Sequence, residues 1–195
     1  MISGLKKKLS RQLKRKIKLS VRTLWQSLAY YFFRRRGQIG HLRHIVFVCL
    51  GNVCRSAFAE YYCKSSPLFN GLRIESCGLE VDQSVPSPPD ALKIAEEFGV
   101  DLTENRSKYL AACDLEQADL IIAMEYDQFK MLIHKFPHKS EQIVLLREFA
   151  PWPESLICNI YDPYGFATEE FRNCFKAMRR ALDGLAEQLK KDRKR

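Results

Sequence analysis

No aspartate or glutamate occurs in the first 40 residues, although the chain carries 23 acids in all. Twelve Lys and Arg stand in that acid-free stretch, from Lys6 to Arg36. Removing them from the chain's 32 basic residues leaves 20 against 23 acids, a net −3 for residues 41–195. The formal charge of +9 therefore belongs to the N-terminal segment and says little about what the remainder acts on.

A long apolar run is also missing. Spanning a bilayer takes about 20 such residues, and the most apolar early stretch, Leu24 to Phe33, is interrupted by Gln26 and Ser27. No small-residue cleavage site follows it, which argues against a secretory signal. The seven cysteines form no regular framework, and 195 residues bury a core without disulfide staples, so a reducing cytoplasm is expected. There is no CxxC pair, and His41, His44, His134 and His138 lie outside any motif, so neither a metal site nor a cofactor is expected.

What is present alternates between two periods. Arg34-Arg35-Arg36-Gly37-Gln38-Ile39-Gly40 separates the basic segment from a strand-like run, His44 to Cys49. This divides the chain into an extension, residues 1–40, and a domain, residues 41–195. A helical pattern over Ser56 to Tyr62 follows, then a strand at Leu72 to Ser76 and a helix over Ala91 to Phe98 closed by Gly99. Asp119 to Met124 and Gln142 to Leu146 read as buried strands with a helix between them. A Pro-rich loop and a helix from Thr168 to about Leu189 close the chain, with the Thr168 hydroxyl as its expected cap. Four strands alternating with helices predict an α/β fold, a doubly wound four-stranded parallel sheet flanked by helices.

Such sheets bind ligands at the carboxyl ends of their strands. The first strand ends in Cys49-Leu50-Gly51-Asn52-Val53-Cys54-Arg55-Ser56 and passes directly into a helix. A tight turn before a helix N-terminus converges backbone N–H groups on one point and makes an anion cradle. A cysteine at its start favours the thiolate, and an arginine six residues on can return as a bidentate clamp. Gly51 and Asn52 tolerate the positive φ that an inward-curling loop demands, and Ser56 can donate to the sulfur.

From Val48 to Ser56 the sequence resembles the signature of the low-molecular-weight protein tyrosine phosphatases, with Val53 in place of Ile. The resemblance runs over about residues 44–190, through Glu75-Ser76-Cys77-Gly78, Pro88-Pro89-Asp90, Arg106, the Asp119 to Glu125 strand and Tyr161-Asp162-Pro163-Tyr164-Gly165. It implies Cys49 as nucleophile, Arg55 as phosphate clamp and Asp162 as general acid and then base. The reaction would pass through a cysteinyl-phosphate on protein phosphotyrosine. Leu50, Gly51, Asn52, Val53, Cys54 and Ser56 would bind the phosphate, Tyr164 would wall the substrate ring, and Ser76 would anchor Asn52. Cys54 would either form a reversible disulfide with Cys49 or simply pack.

Two departures bear on specificity. Ala57 stands where the family usually has Pro, and Asp82 and Gln83 occupy the loop where many members place an aromatic wall. Family members acting on phosphoarginine carry Thr where Val53 stands, which favours phosphotyrosine here. The rival enzyme, a phosphatase-like arsenate reductase, needs two redox cysteines at positions that fall on Met124 and Met131. An inactive anion-binding adaptor is the other alternative, opposed by the intact Cys49, Arg55 and Asp162.

In the extension, Leu5, Leu9, Leu13, Ile17, Val21, Leu24, Leu28 and Phe32 recur every three or four residues among Lys and Arg. This predicts a basic amphipathic helix. It would meet an anionic membrane surface or an acidic partner through residues 1–36, giving a cytoplasmic protein with a peripheral membrane association. A disordered tail or a targeting peptide is the alternative. No fold motif supports nucleic-acid binding.

Overall fold

The computed structural model of the chain describes residues 21–34 and 42–192. Residues 21–33 are helical (α1), and the boundary expected near residue 40 lies outside the described residues, as do Leu5, Leu9, Leu13 and Ile17. The strands are β1 (His44–Cys49), β2 (Arg73–Gly78), β3 (Leu120–Ala123) and β4 (Ile143–Leu145). Between and after them come α2 (Arg55–Ser65), α3 (Pro89–Glu97), α4 (Tyr126–Lys135) and α5 (Thr168–Asp192).

The sheet is wholly parallel, in the order β2-β1-β3-β4. All six residues of β1 are buried, as the near-continuous apolar run of a strand covered on both faces requires. Its side chains alternate: Ile45, Phe47 and Cys49 enter the core shared with α2, α3 and α5, whereas Val46 and Val48 enter the one shared with α4. Stacked Phe58 and Phe175, with ring centroids 4.1 Å apart, join α2 to α5. At Gly184 an added Cβ would lie 1.9 Å from the Phe149 carbonyl oxygen, so α5 can approach that segment only through glycine.

Element bounds shift by one to three residues, and two of the local changes have a visible cause. β2 runs to Gly78 instead of Ser76 because it pairs with β1 residue for residue, up to Cys49 opposite Gly78. The Thr168 hydroxyl does not cap its own helix but donates to Asp90 Oδ1 of α3 at 2.7 Å.

α1 is seated on the domain with its polar side inward. Thr23, Gln26, Ser27 and Tyr30 are buried, while Val21, Leu24, Trp25, Leu28 and Phe32 face outward. The Tyr30 ring packs edge-on against Phe129 at 5.0 Å. Its hydroxyl donates to Glu148 Oε2 at 2.5 Å and accepts from the Leu145 N–H at 2.9 Å, so α1 is tied to the end of β4. Arg34 pairs with the same Glu148 at 2.6 Å.

Candidate active site

In the order β2-β1-β3-β4, the connections from β1 and β3 leave toward opposite sides, which opens a crevice at the carboxyl end of β1. Residues 50–54 make the turn there, and α2 begins at Arg55. No side chain caps α2 and its first turn holds no acid, so its leading N–H groups are left for an anion.

Asn52 organises the turn. It is fully buried and has φ 54°, a left-handed conformation that Asn tolerates and most residues do not. Its N–H points at Cys49 Sγ at 3.2 Å. Its Nδ2 donates to Ser56 Oγ at 2.9 Å and to Ser76 Oγ at 2.7 Å, and its Oδ1 accepts from the Lys108 N–H at 2.8 Å. Because Ser56 Oγ accepts from Asn52, its own proton is available to Cys49 Sγ, 3.0 Å away. Gly51 does not adopt the positive φ expected of it, and Asn52 alone carries that conformation in the turn.

The arginine does return to the same place. Arg55, about 1% exposed, donates from Nη2 to Asp162 Oδ2 at 2.6 Å and from Nη1 to the Ile160 carbonyl at 3.0 Å, and also pairs with Glu125. Burial opposes its charge, but Cys49, Asp162 and Glu125 outweigh burial and hold the guanidinium above the ordinary arginine value. Arg55 Nε is buried without a hydrogen-bond partner, a donor left over for an oxyanion.

Cys49, Arg55 and Asp162 line one cleft of about 680 Å³ together with Leu50, Gly51, Val53 and Cys54. Tyr164 stands exposed on the rim, and its N–H donates to Asp162 Oδ1 at 3.2 Å. The lining also includes Glu80, Asp82 and Gln83, and among the described residues Tyr164 is its one aromatic residue. The Cys54 thiol is pushed up by burial, with Asp162 and Cys49 adding to the effect. Ser56 and Ser76 lie beneath the turn and outside the cleft wall.

Several contributors escape a reading of the sequence. Glu125 reaches Arg55 from just past β3, and its place at a strand's carboxyl end was the available signal. Asn105 donates to the Asn52 carbonyl at 3.3 Å from a loop without a motif. Glu60 accepts from Ser76 Oγ at 2.5 Å and pairs with Lys108 at 2.8 Å and Lys64 at 2.5 Å. Burial works against the Glu60 charge, yet those three hydrogen bonds hold its carboxyl below the usual glutamate value. Gly78 lies directly against the turn: a Cβ there would stand 2.7 Å from the Leu50 carbonyl oxygen and 3.1 Å from the Gly51 carbonyl carbon.

The family model of the low molecular weight phosphotyrosine protein phosphatases matches residues 44–195. The chain belongs to that family. As a member it is a cysteine-dependent protein tyrosine phosphatase, a hydrolase. It is 26% identical over 149 residues to a probable low molecular weight protein-tyrosine-phosphatase, EpsP, of Ralstonia nicotianae, covering 76% of this chain and 97% of that protein. It is 28% identical over 152 residues to the protein-arginine-phosphatase of Bacillus subtilis, covering 77% and 99% of the two chains. The crystal structure of the low molecular weight protein tyrosine phosphatase from T. tengcongensis superposes with a TM-score of 0.66 at 29% identity, covering 75% of this chain and 99% of that one. The family match begins at β1, so α1 lies outside it.

Proposed function

We propose that this phosphatase hydrolyses phosphotyrosine on protein substrates, with Cys49 as nucleophile, Arg55 as clamp and Asp162 as proton donor and then acceptor. The observation that carries the reading is the convergence of Cys49, Arg55 and Asp162 on one cleft at the α2 N-terminus. A phosphate in the turn sits over Cys49 Sγ, with its equatorial oxygens on the turn amides and on Arg55, whose Nε has no other partner. The arriving dianion competes with Asp162 for Arg55 and releases the carboxyl toward the leaving oxygen. Sulfur attacks phosphorus in line as the phenol departs with the Asp162 proton. The carboxylate then takes a proton from the water that hydrolyses the cysteinyl-phosphate, while Ser56 donates to the departing sulfur.

Val53 and Tyr164 supply apolar surface for a phenyl ring. The protein-arginine-phosphatase among the relatives makes substrate choice the deciding experiment. Initial rates on matched phosphotyrosine and phosphoarginine peptides should favour phosphotyrosine, and faster release from phosphoarginine would overturn that preference.

Among the described residues no helix is long and apolar enough to cross a membrane. The proposed location is cytoplasmic, with residues 1–36 meeting an anionic membrane surface or an acidic partner.

A further inference from the structure

α1 is inverted relative to an ordinary surface helix, which buries its apolar stripe and exposes its polar one. Its inward polar groups are satisfied: Ser27 Oγ accepts from the Cys158 N–H at 3.0 Å, and Gln26 Oε1 accepts from Asn159 Nδ2 at 2.7 Å. Its outward side carries Val21, Leu24, Trp25, Leu28 and Phe32, with Trp25 72% and Phe32 82% exposed. The Tyr31 hydroxyl donates to the Ser155 carbonyl, and the segment it meets there exposes Leu156 as well. A continuous helical row of large apolar side chains in water marks a surface that something covers.

Charge decides what covers it. Residues 1–36 hold twelve Lys and Arg and no acid, and α1 is the end of that run. Two copies meeting through α1 would bring two such segments together, like against like. An acidic protein would answer the charge, but to take the row of Trp, Leu and Phe it would need a matching apolar groove beside its acids. An anionic bilayer answers both: headgroups attract the basic residues while the apolar row enters the boundary of the acyl region, where Trp and Tyr also favour the interface.

We infer that the outward face of α1 is a membrane-docking surface that lies in the plane of an anionic bilayer and holds the phosphatase domain against it. The polar face of the same helix stays bonded to residues 158 and 159, so docking needs no rearrangement of the domain.

The test uses the full chain and vesicles of phosphatidylcholine, alone or mixed with phosphatidylserine. Wild type should co-sediment with the mixed vesicles only. A W25S/L28S/F32S variant, altered only at exposed positions, should bind at least about tenfold more weakly while hydrolysing para-nitrophenyl phosphate at the wild-type rate. In a W152F background, Trp25 fluorescence should shift to the blue with mixed vesicles and be quenched by brominated acyl chains. Undiminished binding of the triple variant, or Trp25 unquenched in bound protein, would show attachment by charge alone and overturn the proposal. A wild-type dimer in sedimentation velocity that the variant abolishes, without vesicle binding by either, would assign the face to a second copy. The pelleting readout does not depend on turnover, so it stands or falls apart from the proposed substrate.

Discussion

Gln26 Oε1 accepts a hydrogen bond from Asn159 Nδ2 at 2.7 Å, which links a helix outside the family match to a residue three positions before Asp162. Asn159 also accepts the Tyr126 N–H at 2.8 Å. The next residue, Ile160, donates to the Met124 carbonyl at 2.8 Å and accepts from Arg55 at 3.0 Å. Substituting Q26A/S27A strips Asn159 Nδ2 and the Cys158 N–H of the hydrogen bonds they make to α1, and each orphaned group costs about 1–3 kcal/mol. The expected result is a lower urea midpoint and a kcat reduced severalfold at nearly constant KM. Unchanged kcat in a folded variant would show that α1 does not position the acid loop.

The chemical assignment predicts a pair of different losses. Cys49→Ser should abolish turnover yet bind tungstate, because the turn amides and Arg55 remain. Asp162→Asn should lower kcat by about 10²–10⁴, the usual worth of general acid catalysis, and most for phenols that leave poorly. The check is the dependence of log kcat on leaving-group pKa, which should be steeper in the variant. Equal losses across all leaving groups would place the proton donor elsewhere.

The cradle was legible because its parts are local. Strand periodicity, the turn residues and the Cys-to-Arg spacing all fall between His44 and Ser56, and the structure joins them as neighbours. Glu125 and Gly78 fall in stretches that resemble the family, and Glu125 follows a strand's carboxyl end, but the contact each makes with the site exists only through the pairing that brings β3 and β2 beside β1. α1 shows a different limit. Its apolar spacing grouped Val21, Leu24, Leu28 and Phe32 on one side, but periodicity alone does not say whether that side turns inward. The decision came from Tyr30, whose ring and hydroxyl both find partners on the domain.

Glu60 gives the enzyme an acid limb in its stability. Its folded-state carboxyl lies below the ordinary value of 4.5, so its contribution is fully present above that pH and is lost as pH falls through the lower folded value. Glu60→Gln should therefore be less stable near neutrality, by about 1–3 kcal/mol for the charged hydrogen bonds removed, with a smaller further decline toward pH 3. Urea unfolding at several pH values measures this. Parallel stability curves for both proteins would contradict the assignment. Glu60 also receives the Ser76 hydroxyl that supports Asn52, so a modest loss of kcat should accompany the change.

Gly78 separates packing from chemistry, because it touches the turn and does not line the cleft. A Cβ at this position would meet Val81 Cγ2 at 2.4 Å, a side chain able to turn away. It would also meet the Leu50 carbonyl oxygen at 2.7 Å, which is backbone of the turn itself. Gly78→Ala should shift the turn and lower both kcat and oxyanion affinity, with a stability loss of about 1–3 kcal/mol from overpacking. Trimming the movable neighbour in G78A/V81A relieves only the first clash, so activity should stay low. Full recovery in the double variant would mean that the turn tolerates a side chain beneath it and that its geometry is set by Asn52 alone.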